Sequence, residues 1–266
     1  MMTRRPAVTL IEVLVTLFIM AIGMLALLVL FPLGAISMGQ ALKDDRCAST
    51  ASMAENVAIA MNVRHDPLVV NGFAGTALPV YVDPYGAIQN LGPVGGVIPR
   101  VGVSFATTPA LADRWFSLPD DLAFSASGSA NTAPTGGVLD RGRRYSFAYL
   151  LTQPQPNPNQ IVNLTVVVYS ARPVTSLAPE QAYTAAPVGT NGLIVTWAGP
   201  QPTPNIRRGG WVLDTTGNFY RVTNIAEAGA GTMVLDVSPD LKTAVTGIIV
   251  LDNVAEVFDK GTSWQP

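Results

Sequence analysis

Cysteine and histidine are almost missing from this 266-residue sequence, in which Cys47 and His65 each stand alone. A single cysteine excludes an intramolecular disulfide, so no disulfide framework holds the fold; export to an oxidising compartment stays open. One His and one Cys also leave too few groups for the usual zinc sites, or for Ser-His and Cys-His triads. Charge is scarce too. Only 13% of the residues are charged, against about 25% in an ordinary soluble domain. The formal net charge is -2 and the mean hydropathy +0.33. No basic excess calls for nucleic acid, and no acidic tail suggests a reservoir of cations. A Gly-rich phosphate loop, a catalytic acidic pair and a nucleophile elbow are all missing, so neither an enzyme nor a cofactor is expected.

What the sequence does have is concentrated apolarity. Residues 13–36 form a run of 24 without a charged side chain. As a helix this run would extend about 36 Å at ~1.5 Å per residue, and a bilayer core needs roughly 20 such residues. Arg4 and Arg5 precede it, whereas Lys43, Asp44, Asp45 and Arg46 beyond it cancel one another. The positive-inside rule places the N-terminus in the cytoplasm and everything after about residue 40 outside. An ordinary signal peptide has an apolar stretch of only about 7–15 residues. Here the run is longer, and Glu12 stands at its front edge. A carboxylate near a hydrocarbon core costs a few kcal/mol and normally has a partner.

The segment Pro6-Ala7-Val8-Thr9-Leu10-Ile11-Glu12-Val13-Leu14-Val15 resembles the N-terminal processing motif of type IV pilins and type II secretion pseudopilins. In that family a short basic leader ends in a small residue, usually glycine. Cleavage exposes an apolar residue that is then N-methylated, and a glutamate stands fifth in the mature chain. The resemblance implies that Ala7 ends the leader and that Val8 becomes the methylated N-terminus. Glu12 is then the fifth mature residue, in a mature chain of 259 residues. Ala7 replaces the usual Gly, and Val8 the frequent Phe or Met, which keeps the first small and the second apolar. Cleavage would remove Arg4 and Arg5 and create an amine on Val8. The resemblance further implies that Glu12 pairs with that amine on a neighbouring subunit, since two charges are buried together at less cost than either alone. Glu12 also lies in the first turns of a helix, where the macrodipole favours an anion. The implied partners are prepilin peptidase, other pilin or pseudopilin subunits, the inner membrane and the assembly platform. The resemblance covers roughly residues 4–40.

Pro32 falls within the apolar run, where loss of one backbone hydrogen bond and crowding of the Leu28 carbonyl predict a kink. Beyond it, residues 40–64 read as an amphipathic continuation with Leu42, Thr50, Met53, Val57 and Met61 on one face. Cys47 reads as a small packing residue, and His65-Asp66-Pro67 as the helix end. After residue 66 Gly and Pro become frequent. Strands are predicted over 78–82, 97–105, 145–151, 161–169, 193–197, 211–214, 219–223, 232–237 and 247–251. A short helix is expected near 110–116. Hairpins are expected across the loop 152–160 and across Thr215-Thr216-Gly217-Asn218. Asp83-Pro84-Tyr85-Gly86 reads as a type I turn. Asp236, Asp240, Asp252 and Asp259 are oxygen donors, but without an Asp-x-Asp-x-Asp-Gly loop no metal is assigned. Arg141, Arg143 and Arg144 read as a solvated strand edge.

The expected fold is α+β and pilin-like. A leader (1–7) precedes a long kinked helix (8–64) that spans the membrane over about 13–36, and a mainly antiparallel β head follows (65–266). The leading functional expectation is a minor pilin or pseudopilin of a type IV pilus or type II secretion-like filament. It starts as a single-pass protein of the inner membrane, with the N-terminus cytoplasmic and the head outside. The alternative is a membrane-anchored exported β-domain that binds a ligand or surface without assembling, which predicts no cleavage at Ala7 and indifference to Glu12.

Overall fold

The computed structural model describes residues 10–73, 79–118, 144–153, 162–172, 177–229, 231–242 and 245–262. The chain divides into two compact units, Met1–Arg46 and Cys47–Pro266. One helix, α1 (Leu10–Ala60), supplies the described part of the first unit and opens the second. Its first half is rich in Leu, Ala and Met, which lose little on entering a helix. Pro32 is accommodated inside this helix. The helix stops where Asn62 adopts a left-handed φ of 48°, followed by a 3-10 turn over Val63–His65. The His65 Nδ1 pairs with the Asn62 Oδ1 at 2.7 Å, so the lone histidine serves the turn.

The second unit holds a five-stranded sheet and a closed six-stranded barrel. In the sheet, β1 (Val80–Val82) lies between the two-residue β2 (Arg100–Val101) and β3 (Tyr145–Thr152). Beyond β3 come β4 (Asn163–Ser170) and β11 (Val254–Gly261). β1 and β2 are parallel, and the other pairs are antiparallel. The β3–β4 hairpin runs from Tyr145↔Ser170 to Thr152↔Asn163, as expected. β5 (Gln181–Val188), β6 (Gly192–Thr196), β7 (Trp211–Asp214), β8 (Phe219–Gly229), β9 (Thr232–Ser238) and β10 (Gly247–Val250) close the barrel in the order β10-β5-β6-β9-β8-β7, antiparallel throughout. Three short helices, α2 (Pro67–Phe73), α3 (Pro84–Ile88) and α4 (Pro109–Phe116), surround the sheet strands in sequence.

Strand alternation sets the layers. Phe147, Tyr149, Leu151, Leu164, Val166, Val168, Val80 and Val82 share a core with Cys47, Ala51, Ala54 and Ala58 of α1. The intervening residues Ala148, Leu150, Val167, Tyr169 and Tyr81 share another core with Leu213, Ile249 and Leu251. Successive side chains of a strand point to opposite faces. Residues 47–58 of α1 therefore cover one face of the sheet and the barrel covers the other. This explains why β3 and β4 read as nearly continuous apolar runs, the pattern of strands buried on both sides. The barrel has a third core of its own, including Leu193, Val195, Val222, Leu235 and Ile248.

Several expectations are corrected. The segment 97–105 yields only β2, because Val94 and Ile98 bridge to each other and hold the chain in a turn. The buried face of α1 is built from Cys47, Thr50, Ala51, Ala54, Val57 and Ala58, while Leu42 is 57% exposed and Met53 and Met61 only partly buried. Small side chains allow the helix backbone to approach the sheet, and the Tyr149 hydroxyl donates to the Ala54 carbonyl at 2.7 Å. Asp83-Pro84-Tyr85-Gly86 is not an isolated turn: Asp83 holds the N-cap position of α3, its carbonyl accepting from the Ala87 N–H, and Pro84 opens the helix. β5 and β11 were not expected. The loop residues 154–160 and the arginines at 141 and 143 lie outside the described residues; Arg144 is exposed.

Candidate assembly site

Residues 10–45 have one dominant physical property. Every side chain described among them is exposed, including Leu10, Leu14, Phe18, Leu25, Leu28 and Phe31, and they lie on all faces of the helix. A soluble protein does not leave an apolar patch of this extent in water. An all-round apolar helix belongs in a bilayer or in a bundle of like helices. Among the described residues, α1 is long and apolar enough to cross a membrane. Its polar hydroxyls are turned inward on the backbone: the Thr16 Oγ1 donates to the Val13 carbonyl at 2.8 Å, and the Ser37 Oγ to the Leu33 carbonyl at 2.9 Å. Both donors are thus satisfied without water, as lipid or a dry bundle requires.

Glu12 lies in the first turn of α1 and is exposed. It is the one charged group in the described helix before Lys43, and its side chain is free to meet a partner outside its own unit. Ala7 and Val8 lie outside the described residues. Pro32 sits within the exposed apolar stretch.

The profile described as the prokaryotic N-terminal methylation motif matches residues 2–28. Over this stretch the chain is type IV pilin-like. The motif is that of proteins processed by prepilin peptidase, and it points to a structural protein rather than an enzyme. The motif and the apolar helix are together the features of a membrane-anchored, pilin-like N-terminus. No curated protein and no solved structure matches the pilin-like chain.

The head adds a second constellation, which sequence reasoning missed. Asp83, fully buried, accepts from Arg100 at 2.6 Å and from both terminal nitrogens of Arg172 at 2.9 and 2.7 Å. Arg100 also pairs with Glu180. Two carboxylates thus balance two guanidiniums, with the bidentate Arg172–Asp83 pair supplying the strongest geometry. Arg172 stacks over Tyr169, its Cζ 4.3 Å from the ring centre, and the Tyr169 and Tyr81 hydroxyls bond to each other. Burial alone would raise the Asp83 carboxyl, but Arg172 and then Arg100 outweigh it and hold the group below its ordinary value. Burial pushes the Tyr169 hydroxyl up to about 12. Arg172 and Glu180 flank the crossing from β4 to β5, so the quartet sits where the chain leaves the sheet for the barrel. The only sequence signal was the placement of Asp83 and Arg172 directly beside prolines at strand ends.

A cleft of 100 Å³ beside this crossing and one of 190 Å³ between Asn205–Trp211 and Val250–Val254 fall below the roughly 300 Å³ at which ligand pockets begin. Asp236, Asp240, Asp252 and Asp259 are dispersed: Asp236 accepts from Asn224, Asp252 from Asn205 and Asp259 from the Gly261 N–H. Among the described residues no three His, Cys, Asp or Glu side chains form a metal-holding group.

Proposed function

We propose that this chain is a structural subunit, a minor pilin or pseudopilin, of a type IV pilus or type II secretion-like filament. Prepilin peptidase cuts between Ala7 and Val8, Val8 is N-methylated, and α1 carries the subunit from the inner membrane into the filament. Glu12 pairs with the Val8 amine of a neighbouring subunit, so that a slip in register leaves an unpaired charge in an apolar bundle. Pro32 kinks or locally loosens the helix where subunits pass one another. The N-terminus starts in the cytoplasm and the head outside, by the distribution of Arg4 and Arg5 before the apolar run. The observation that carries this reading is the methylation motif at residues 2–28 fused to a helix whose described side chains from residue 10 to 45 are all exposed.

Intact mass and N-terminal sequencing of the protein from its native membrane, with and without the peptidase, test it. A peptidase-dependent start at Val8 carrying one added methyl group is expected. A chain that starts at Met1 or Met2 under both conditions would leave a tethered β-domain instead. Glu12→Ala is expected to be processed normally and to enter filaments at least 10-fold less, on the scale of a lost buried charge pair.

A further inference from the structure

Where the barrel meets the sheet, two neighbouring strands end together. β7 and β10 pair through Val212↔Val250, so Trp211 lies across from Leu251 and the residues that lead into β11. Trp211 shares its side of β7 with Leu213, which packs against the sheet. These ends wall a cleft of 190 Å³, lined among others by Asn205, Arg207, Trp211, Asp252 and Asn253.

The backbone under these side chains is fixed. The Gly209 N–H donates to the Val222 carbonyl at 2.7 Å and the Gly210 N–H to the Arg207 carbonyl at 2.9 Å, a turn that Gly209 permits with φ +80°. The Asn253 carbonyl accepts from the Ser170 N–H at 2.9 Å. The Asn205 amide donates to the Asp252 carboxylate at 3.4 Å. Arg221, opposite Trp211 on β8, lies over the indole with its Cζ 5.9 Å from the ring centre. One group is left over. The Trp211 Nε1 is closed off from water and has no hydrogen-bond partner among the described residues. Buried donors are normally paired, and an acceptor oxygen brought into the cleft beside Trp211 would relieve this one.

The lining sets the chemistry of what fits. Arg207 and the indole N–H only donate, the Asp252 carboxylate only accepts, and the two Asn amides do both. An anion would meet like charge at Asp252, and a cation at Arg207. A neutral molecule dense in hydroxyls suits both, because each hydroxyl donates and accepts. Size narrows the choice further. At ~30 Å³ per water the cleft holds the volume of about six waters. That is too little for a drug-sized molecule and enough for a single sugar ring.

We propose that this cleft is a carbohydrate-binding site that takes one pyranose ring of a neutral glycan, with its hydroxyls on Arg207, Asp252 and the Trp211 N–H. The site lies wholly within the head and stands apart from the filament reading.

The full chain, solubilised in a detergent without a sugar headgroup, is titrated by calorimetry with maltose, cellobiose and N,N′-diacetylchitobiose. Digalacturonate serves as the acidic counterpart. One-site binding of at least one neutral disaccharide is expected, in the millimolar range that so small a contact allows. Asp252→Ala, at an exposed position, should weaken it about tenfold with a parent-like urea midpoint. Trp211→Phe keeps a ring, removes the N–H and should weaken it about fivefold. No saturable binding of any of the three neutral disaccharides would overturn the proposal, as would binding that both substitutions leave unchanged. Binding of digalacturonate alone would overturn it too, since the ligand would then be an anion. None of these readouts needs a filament, so a chain that fails to assemble leaves the site standing.

Discussion

Residues 10–45 expose apolar side chains around the whole circumference of a helix, whereas the described residues from 47 to 262 bury most of theirs and enclose charged groups as well. The same helix belongs to both regions. Up to Leu42 its described residues are mostly apolar and all exposed; from Cys47 it turns small side chains onto the sheet. The difference shows that only the second half of α1 finds its packing partners within the head. Its second half is stabilised by the head itself; on the proposed reading its first half is stabilised by lipid or by neighbouring helices, which act as a ligand that binds only the inserted state.

The comparison breaks most sharply at the buried quartet. Asp83→Asn leaves Arg172 and Arg100 without their shared carboxylate, and removal of one partner from a buried pair costs about 3–5 kcal/mol. The urea midpoint of the detergent-solubilised chain should fall accordingly, while Glu12→Gln should shift it by no more than about 0.5 kcal/mol. A parent-like midpoint for Asp83→Asn would mean that the quartet contributes nothing net. Acid should act through the same group. Because the folded Asp83 is held below its ordinary value, its contribution is fully present above an unfolded pKa of about 3.9. It is lost as pH falls through the lower folded value. The parent should therefore lose stability below about pH 4, and Asp83→Asn should lose less over the same range.

A smaller effect separates the two halves of α1. Ala54 lies against the sheet, its carbonyl held by Tyr149, while Ala21 is exposed. Ala54→Leu forces three extra carbons into a filled interface and should cost about 1–3 kcal/mol. Ala21→Leu should leave the head's stability within about 0.5 kcal/mol, as read from the same urea curves. Equal effects at both positions would remove the distinction between a packed and an unpacked half.

What could be read from the sequence follows the range of the interactions. The Ala7–Glu12 motif and the charge-free run are local, as are β3 and β4, whose near-continuous apolar residues announced strands. β5, Gln-Ala-Tyr-Thr-Ala-Ala-Pro-Val, escaped because Ala and Pro are poor strand formers, and because Tyr183 and Ala185 are its only buried residues. β11 escaped because Glu256, Asp259 and Lys260 give it the look of a loop, although a charged edge is how sheets discourage further pairing. Barrel closure depends on β10 meeting both β5 and β7, which no local pattern encodes. The quartet is similarly remote, since Arg172 stands 89 positions from Asp83. Charges that distant look like solvated surface until the fold joins them.

The smallest expected effect tests where burial stops mattering. Lys260 on β11 reaches Glu55 on α1 at 2.8 Å, but both side chains are about a quarter exposed, at 24% and 25%. Water competes for each charge, salt screens the pair, and two long side chains lose freedom to hold one geometry. Such a pair contributes about 0.2–1 kcal/mol. Lys260→Ala should therefore lower stability by no more than about 1 kcal/mol, and the deficit should shrink in 1 M salt. The quartet's contribution, shielded from solvent, should hardly change with salt. A Lys260→Ala loss as large as that of Asp83→Asn would mean that the helix–sheet seam is locked by surface charge. The small side chains of residues 47–58 would then not be what holds α1 to the head.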